Sequence, residues 1–382
     1  MQSVNFVSKT NAWEQWKVGD LITERIEFTK ESNEFPLMAF VANEGVVAKG
    51  ERYDRSSLVR DIYNKIYKVT KYGDFIYSSN NLDRGSIGAN KYGNACISPV
   101  YSIFKCTNSS DHNFIKNILS RHSFVNKLLK YRQGVVYGQL KIHESIFLNI
   151  NLNSPSILEQ NKIGKIFYNL DSLITLHQRK LLSLKNLKSR LLDRMFCDEK
   201  SQFPSIRFKE FTNTWEQWKV GDLITERIEF TKESNEFPLM AFVANEGVVA
   251  KGERYDRSSL VRDIYNKIYK VTKYGDFIYS SNNLDRGSIG ANKYGNACIS
   301  PVYSIFKCTN SSDHNFIKNI LSRHSFVNKL LKYRQGVVYG QLKIHESIFL
   351  NINLNSPSIL EQNKIGKIFY NLDSLITLHQ RG

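Results

Sequence analysis

The steps Ile163, Phe167, Leu170, Ile174, His177, Leu181, Leu184, Lys188, Leu191 and Met195 alternate in spacing between four and three residues. That alternation is a coiled-coil seam. His177 and Lys188 are its two polar members, and a polar residue on such a seam fixes register and pairing at some cost in stability. Further apolar residues at Ile166, Leu173, Leu182, Leu187 and Leu192 widen the stripe, which leaves room for more than one partner surface. Ser156-Ile157-Leu158-Glu159 reads as a capping box, with the serine oxygen and the glutamate carboxylate meeting orphan amides at the helix start. A helix from there to Phe196 has about 40 residues and a length of about 60 Å. Such a rod needs something at each end.

Ahead of the rod the pattern changes to short strands. Residues 17–28, 38–48, 63–71 and 74–78 carry β-branched and aromatic residues in partial alternation, broken at Gly45, Gly50 and Gly73. A glycine-punctuated stretch, with Gly85, Gly88 and Gly93, runs into a buried strand at 95–104. The apolar spacing at 111–130 predicts one helix, and strands follow at 135–140 and 145–152. The unit is α+β.

A repeat then organises the whole chain. Residues 13–179 recur without change as 215–381, and a worn copy extends upstream, where Ser3, Phe6, Thr10 and Asn11 match Ser205, Phe208, Thr212 and Asn213. The period is too long for a solenoid and means two domains of one kind, each followed by the same helix. Identity over such a length is the mark of a very recent duplication or of an assembled sequence, and the final Arg381-Gly382, where the first copy runs on as Arg179-Lys180-Leu181, favours assembly. The expected organisation is a first domain at 1–154, a helix at 155–197, a polar, proline-ended linker at 198–204, a second domain at 205–356 and a shorter second helix at 357–382. Antiparallel pairing of the helices would relate the domains by a pseudo-twofold axis.

Charge narrows the class. The chain has 382 residues, with 53 Lys and Arg against 36 Asp and Glu, a net +17 that points to a polyanion such as nucleic acid. Cys96, Cys106, Cys197, Cys298 and Cys308 show no CxxC spacing, so thiols in a reducing cytoplasm are expected. The longest apolar run near the N-terminus, 35–42, is short and broken by Pro36, so neither a signal peptide nor a membrane span is expected. Gly85-x2-Gly88 is not a dinucleotide fingerprint, and neither a Walker loop nor an Asn/Asp-Pro-Pro-aromatic methyltransferase motif occurs. Cys106, His112 and His122 lack standard metal spacing, and His143-Glu144 reads as an ordinary pair rather than an acid and base.

The helix carries a resemblance. Pro155-Ser156-Ile157-Leu158-Glu159-Gln160, then Lys162-Ile163, Leu170-Asp171, His177-Gln178 and Leu184-x2-Leu187-Lys188-x2-Leu191-Leu192-x2-Met195-Phe196, resembles the conserved region of the specificity subunit of type I restriction-modification enzymes. The second copy keeps it from Pro357-Ser358-Ile359-Leu360-Glu361-Gln362 as far as Arg381. Ile206-Arg207-Phe208 leading to Trp215, and Gly85-Ser86-Ile87-Gly88 leading to Ala95-Cys96-Ile97-Ser98-Pro99-Val100-Tyr101, are similar to the same family. The resemblance implies two target recognition domains that each read half of a bipartite DNA site. The paired helices would act as a ruler and as the dock for two methyltransferase subunits, with Glu159, Gln160, Ile163, Phe167, Leu170, Ile174, Glu361 and Gln362 at the dock. It implies no cofactor on this chain, S-adenosylmethionine on the methyltransferase, ATP and magnesium on any restriction subunit, and a cytoplasmic location. Readers of two half-sites on one face of B-DNA lie about 34 Å apart, and identical readers predict a palindromic target interrupted by unread bases.

Candidate DNA contacts lie in glycine-flanked loops that mix cations, amides and aromatics. In the first domain they are Arg52, Tyr53, Arg55, Lys71, Tyr72, Asn80, Asn81, Arg84, Asn90, Lys91 and Tyr92. In the second they are Arg254, Tyr255, Arg257, Lys273, Tyr274, Asn282, Asn283, Arg286, Asn292, Lys293 and Tyr294. Arginine pairs bidentately with guanine and asparagine with adenine, while lysine suits phosphate, as do Lys127, Lys130 and Arg132 near the helix end. Two other classes fit less of the pattern. A stand-alone DNA-binding regulator would not need so wide an apolar stripe, and a protein-only coiled-coil scaffold would not need the charge.

Overall fold

The computed structural model describes residues 12–48, 65–134, 140–197, 201–244, 246–250, 267–336 and 342–381. Arg52, Tyr53, Arg55, Arg254, Tyr255 and Arg257 lie outside the described residues. The chain divides into two compact units, 1–175 and 176–382, and the division falls inside one continuous helix.

In the first unit, β1 (Glu14–Lys17) leads into a single helical turn, α1 (Val18–Leu21), and then β2 (Ile22–Glu24) and β3 (Phe28–Thr29). Next come β4 (Met38–Val41), β5 (Gly45–Ala48), β6 (Tyr67–Thr70), β7 (Phe75–Tyr77), β8 (Ile87–Ala89), β9 (Ala95–Ile97) and β10 (Ser102–Cys106). Helices α2 (His112–Leu119) and α3 (His122–Leu129), the short hairpin of β11 (Gln133–Gly134) and β12 (Leu140–Lys141), α4 (Glu144–Leu148) and β13 (Asn151–Ser154) precede α5 (Ile157–Arg194). Every strand pair is antiparallel: a four-stranded sheet β2-β10-β7-β8, a three-stranded sheet β3-β6-β9, and the pairs β1-β13, β4-β5 and β11-β12.

Four expectations are corrected here, the first being the buried strand at 95–104, which is two strands, β9 and β10, in different sheets. The stretch 17–28 is not one strand, because Val18 and Leu21 turn inward on α1 and are fully buried. The expected helix at 111–130 is two helices, broken where Ser120 ends α2 and Arg121 starts α3 in an extended conformation. The stretch 145–152 begins as α4, which aims Phe147 into the core.

Phe147 shows why the fold closes there. Its ring packs on Phe104 at 4.8 Å, Tyr77 at 5.0 Å, and Phe75 and Phe124 at 6.2 Å, which joins the four-stranded sheet to α3. A smaller cluster of Met38, Phe40, Val46, Ile76, Ala95, Ile97 and Ile103 fills the space under β4-β5. Arg25 is buried and forks onto Asp74, Nε to Oδ2 at 2.7 Å and Nη2 to Oδ1 at 2.9 Å, so its charge is matched inside. The second unit repeats the order of elements from the strand Glu216–Lys219, through α6 (Val220–Leu223), α7 (His314–Leu321), α8 (His324–Leu331) and α9 (Glu346–Leu350), to α10 (Ile359–Arg381).

Helix α5 is bolted to the first unit at its start. Gln160 is buried; its Nε2 donates to the carbonyls of Pro155 (3.0 Å) and Ser109 (3.2 Å), and its Oε1 accepts from the Asp111 amide (3.1 Å). Asp111 in turn caps α2 by accepting from the Phe114 amide at 2.8 Å. A Cβ on Gly164 would lie 2.0 Å from the Asp111 carboxylate, so only glycine lets the two helices approach this closely.

In the second unit the latter half of α5 packs antiparallel on α10. His177 meets His379 with Nδ1 atoms 3.0 Å apart, Lys188 Nζ donates to Asp373 Oδ1 at 2.6 Å, and the Phe196 ring lies 5.7 Å from that of Phe369. Rising numbers on one helix thus meet falling numbers on the other. The two polar seam residues meet polar partners across the pairing: His177 meets its own repeat, and Lys188 meets a carboxylate.

Candidate nucleic-acid interface

The β7-β8 hairpin carries most of the described candidate DNA contacts, and it splits them into two groups at opposite ends. Tyr77 pairs with Ile87 and Phe75 with Ala89, so the loop 78–86 lies at one end and the turns 71–74 and 90–94 at the other. At about 3.3 Å per residue, the ends are about 13 Å apart.

At the loop end, Asn81 and Arg84 are exposed. The side-chain oxygen of Asn80 accepts from the Leu140 amide at 2.6 Å and ties the loop to the β11-β12 hairpin. Arg132 Nη2 donates to Asp83 at 3.1 Å across the same junction, and Arg132 and Arg84 hold the Asp83 carboxyl below the ordinary carboxylate range. Gly85 closes the loop at φ +82, with the Asn43 side chain where a Cβ would stand. Lys130, Gln133 and Lys141 are exposed beside Asn81 and Arg84 in the chain segments that meet this loop. Lys141 escaped the sequence reading because nothing local links it to a loop 60 residues earlier.

The other end faces α5. Lys91 Nζ donates to Asp171 Oδ2 at 2.9 Å, and Lys116 Nζ to the same oxygen at 2.6 Å. Burial works against the Asp171 carboxylate, but the two lysines outweigh it and hold its pKa below the ordinary value. Tyr72 is exposed and sets its ring edge-on to His112 at 5.4 Å, Tyr92 is exposed, and Lys71 Nζ lies 3.7 Å from Glu27. The second unit places Lys273, Tyr274, Asn282, Asn283, Arg286, Lys293 and Tyr294 in the same way.

Two candidates are corrected. Asn90 and Asn292 are each 1% exposed. Asn90 donates to Thr70 Oγ1 (3.1 Å) and the Gly93 carbonyl (2.7 Å) and accepts from the amides of Tyr92 (2.8 Å) and Gly93 (3.2 Å), and Asn292 repeats the set. Such an amide shapes its own turn and has nothing left for a base. Lys127, read as a phosphate contact, is exposed and gives one of its three donors to the Asn151 carbonyl at 2.9 Å, so that reading is not overturned.

The expected dock is likewise divided. Gln160, Gln362 and Glu361 are buried and serve the fold: Gln362 repeats the bolt of Gln160, and Glu361 accepts a bidentate fork from Arg207 at 2.8 and 2.7 Å. Glu159 instead accepts from the Trp13 indole at 3.3 Å, and Ile163 is half-buried. Phe167, Leu170 and Ile174 are exposed. A second stripe escaped the sequence reading as a separate surface. At about 100° per residue, Leu158 and Leu176 lie on the face of α5 opposite Phe167 and Ile174, with Leu173 at the edge of that face. They are exposed, and so are their repeats Leu360, Leu375 and Leu378.

None of the five cysteines is in a disulfide, and burial pushes the Cys106 and Cys308 thiols up to about 11, which keeps them protonated. Among the described residues no group of three or more His, Cys, Asp or Glu is arranged to hold a metal, and no helix is long and apolar enough to cross a membrane.

Comparison with known proteins places this geometry. The specificity subunit of the type I restriction enzyme MjaVIII from Methanocaldococcus jannaschii is 23% identical over 296 residues, covering 70% of this chain and 67% of that protein. The crystal structure of a type I restriction-modification S subunit from M. genitalium superposes with a TM-score of 0.58 at 14% identity, over 98% of this chain and 93% of that one. The type I restriction-modification DNA specificity domain matches twice, over residues 11–186 and 212–382. With a recognition domain and the start of its helix in each match, this chain belongs to the family of type I restriction-modification DNA specificity subunits, the non-catalytic recognition components of those systems.

Proposed function

We propose that each unit reads the same half-site and that the target is a palindrome interrupted by unread bases. The observation that carries this reading is the exact repeat: residues 13–179 and 215–381 are identical, so any base-reading loop exists twice with one chemistry. The loop end of the hairpin, with Asn81, Arg84 and Lys141 and their repeats Asn283, Arg286 and Lys343, has the exposed amides and cations that base edges and phosphates require. Lys91, which bonds Asp171 of α5, and Lys71, Tyr72 and Tyr92 at the same end of the hairpin are the further candidates for phosphate contacts.

Docking of two methyltransferase subunits is part of the same proposal. The stripe of Leu158, Leu173 and Leu176 and its repeat, Leu360, Leu375 and Leu378, is apolar and exposed in both copies, as a dock used twice would be. S-adenosylmethionine would then be held by those subunits, ATP and magnesium by any restriction subunit, and the whole would work in the cytoplasm.

Methylome sequencing of cells that carry this chain with a cognate methyltransferase tests the reading. The expected motif is palindromic with a fixed spacer, and an asymmetric motif overturns it. DNA affinity that falls steeply with salt is expected as well, since phosphate contacts release counterions.

A further inference from the structure

Where α5 crosses α10 in the second unit, two imidazoles meet. His177 and His379 hold the same place in the repeat, and the antiparallel pairing sets Nδ1 against Nδ1 at 3.0 Å, with ring centroids 5.1 Å apart and planes inclined at 52°. Two neutral imidazoles at that distance have two ways to be compatible. One ring carries its proton on Nδ1 and donates to the other, which needs unlike tautomers on two like residues. In the second way each ring turns the same lone pair to a shared cation, which treats the two copies alike.

The separation suits a metal ion. An imidazole nitrogen binds a divalent transition ion at about 2.0–2.1 Å, so nitrogens 3.0 Å apart subtend about 91–97° at it. That is the angle between neighbouring positions of a square-planar or tetragonal ion, the preference of Cu2+ and Ni2+, and it is narrower than a tetrahedral zinc site requires. No Asp or Glu stands within four residues of either histidine, so the chain on both sides supplies nitrogen alone. His177 is exposed and His379 half-buried, which leaves the other positions of the ion open to water. Arg179 and Lys180 follow His177 in the chain, and their charge sets such a site below a three-ligand centre in strength.

We propose that His177 and His379 form a two-nitrogen site for a divalent first-row transition ion of the Cu2+ or Ni2+ class, which staples α5 to α10. An ion held by both rings selects one register, because a slip of one residue on either helix carries its nitrogen about 100° round the axis and out of reach. Lys188 and Asp373, further along the same pairing, are bonded to each other and take no part. Only the pairing inside the second unit is involved, so the site stands whether or not the DNA reading does.

The test is titration of the full chain, stripped of metal by a chelator, with Ni2+ and Cu2+ salts. The chain has eight histidines, so a chain with both His177→Ala and His379→Ala measures the background of the other six. One saturable site above that background is expected, and either alanine alone should weaken it by about tenfold or more. Electron paramagnetic resonance of the Cu2+ form should show two imidazole nitrogens in the parent chain and one in each single variant. Hydrogen exchange over 359–381 should slow with Ni2+ in the parent, return to its metal-free rate with chelator, and not respond in the variants. Circular dichroism of the metal-free variants checks that they fold, as substitution at these solvent-open positions predicts. Binding that the double variant retains in full, a spectrum with one nitrogen in the parent chain, or exchange that Ni2+ leaves unchanged overturns the proposal, and the pair is then a hydrogen bond between two neutral rings.

Discussion

The two helix starts, 157–174 and 359–376, have identical sequences and unlike surroundings. In the second unit Trp215 is fully buried among Phe196 and Phe316, Glu361 is forked by Arg207, and the apolar side chains of α10 are roofed by the latter half of α5. In the first, Trp13 is half-exposed and spends its indole on Glu159, and Phe167, Leu170 and Ile174 face outward. The difference teaches that an amphipathic stripe states a capacity for burial, and that the partner decides whether the capacity is used.

The comparison breaks most easily at the phenylalanines. Phe369→Ala removes a fully buried ring and is expected to cost the second unit about 3–5 kcal/mol. Its twin Phe167→Ala should cost the first unit less than about 1 kcal/mol. Hydrogen exchange read separately over 112–129 and 314–331 checks both, and equal losses of protection would contradict the burial difference.

Next is the helix-start carboxylate, which among the described residues has a cation partner only in the second unit. Arg207→Ala strands the buried Glu361 and is expected to destabilise the second unit by about 3 kcal/mol. Glu159→Gln in the first unit keeps an acceptor for Trp13 and should change stability by less than about 0.5 kcal/mol. Urea melts followed by exchange in each helix start measure the two.

A matched pair sharpens the contrast by showing where the units are alike. Gly164 and Gly366 each face an Asp carboxylate that a Cβ would strike, at 2.0 and 2.1 Å. Alanine at either is expected to cost about 1–3 kcal/mol, equally in both units. An unequal cost would show that the cover alters even this shared contact.

Acid gives a smaller effect. Burial opposes the Asp373 charge, but Lys318 and Lys188 outweigh it and hold the carboxyl far below its usual value, while Lys116 and Lys91 hold Asp171 below it as well. A carboxylate whose folded pKa is lowered contributes stability that is complete above the ordinary value, near 4, and drains away as the pH falls through the lowered one. The second unit should therefore lose more stability than the first between about pH 4 and pH 2, and Asp373→Asn should reverse the difference in acid-titrated exchange rates, since Asp171 still titrates.

The smallest effect belongs to the crossing point. Replacing His177 and His379 together by leucine should raise the melting temperature slightly, by the equivalent of about 0.5 kcal/mol, at the expense of a single register. Cysteine pairs placed along α5 and α10 would report that loss as new cross-links.

The rod, the repeat and the family were legible in the residues themselves. Heptad spacing is a local periodicity, and identity over a whole domain needs no structure to be seen. Much of the secondary structure was legible too, yet α1 was read as strand because four residues are too few to show a helical period, and the break at Ser120-Arg121 was hidden because both sides are apolar at helical spacing. The site was less legible. Asn90 looked like a base reader and is a buried turn-former, while Lys141 looked unremarkable and joins the exposed loop end, since sequence separation says nothing of which loops fold together.

The sequence by itself determined that two equal recognition domains share one kind of helix, because like residues in like order form like local structure. Only the tertiary structure decided which copy of that helix is covered, which carboxylate is neutralised and which amide is spent. Those outcomes depend on residues such as Lys188, Phe196 and Arg207, which lie far along the chain from what they contact. Burial is a property of two surfaces, and a single stretch of sequence specifies only one of them.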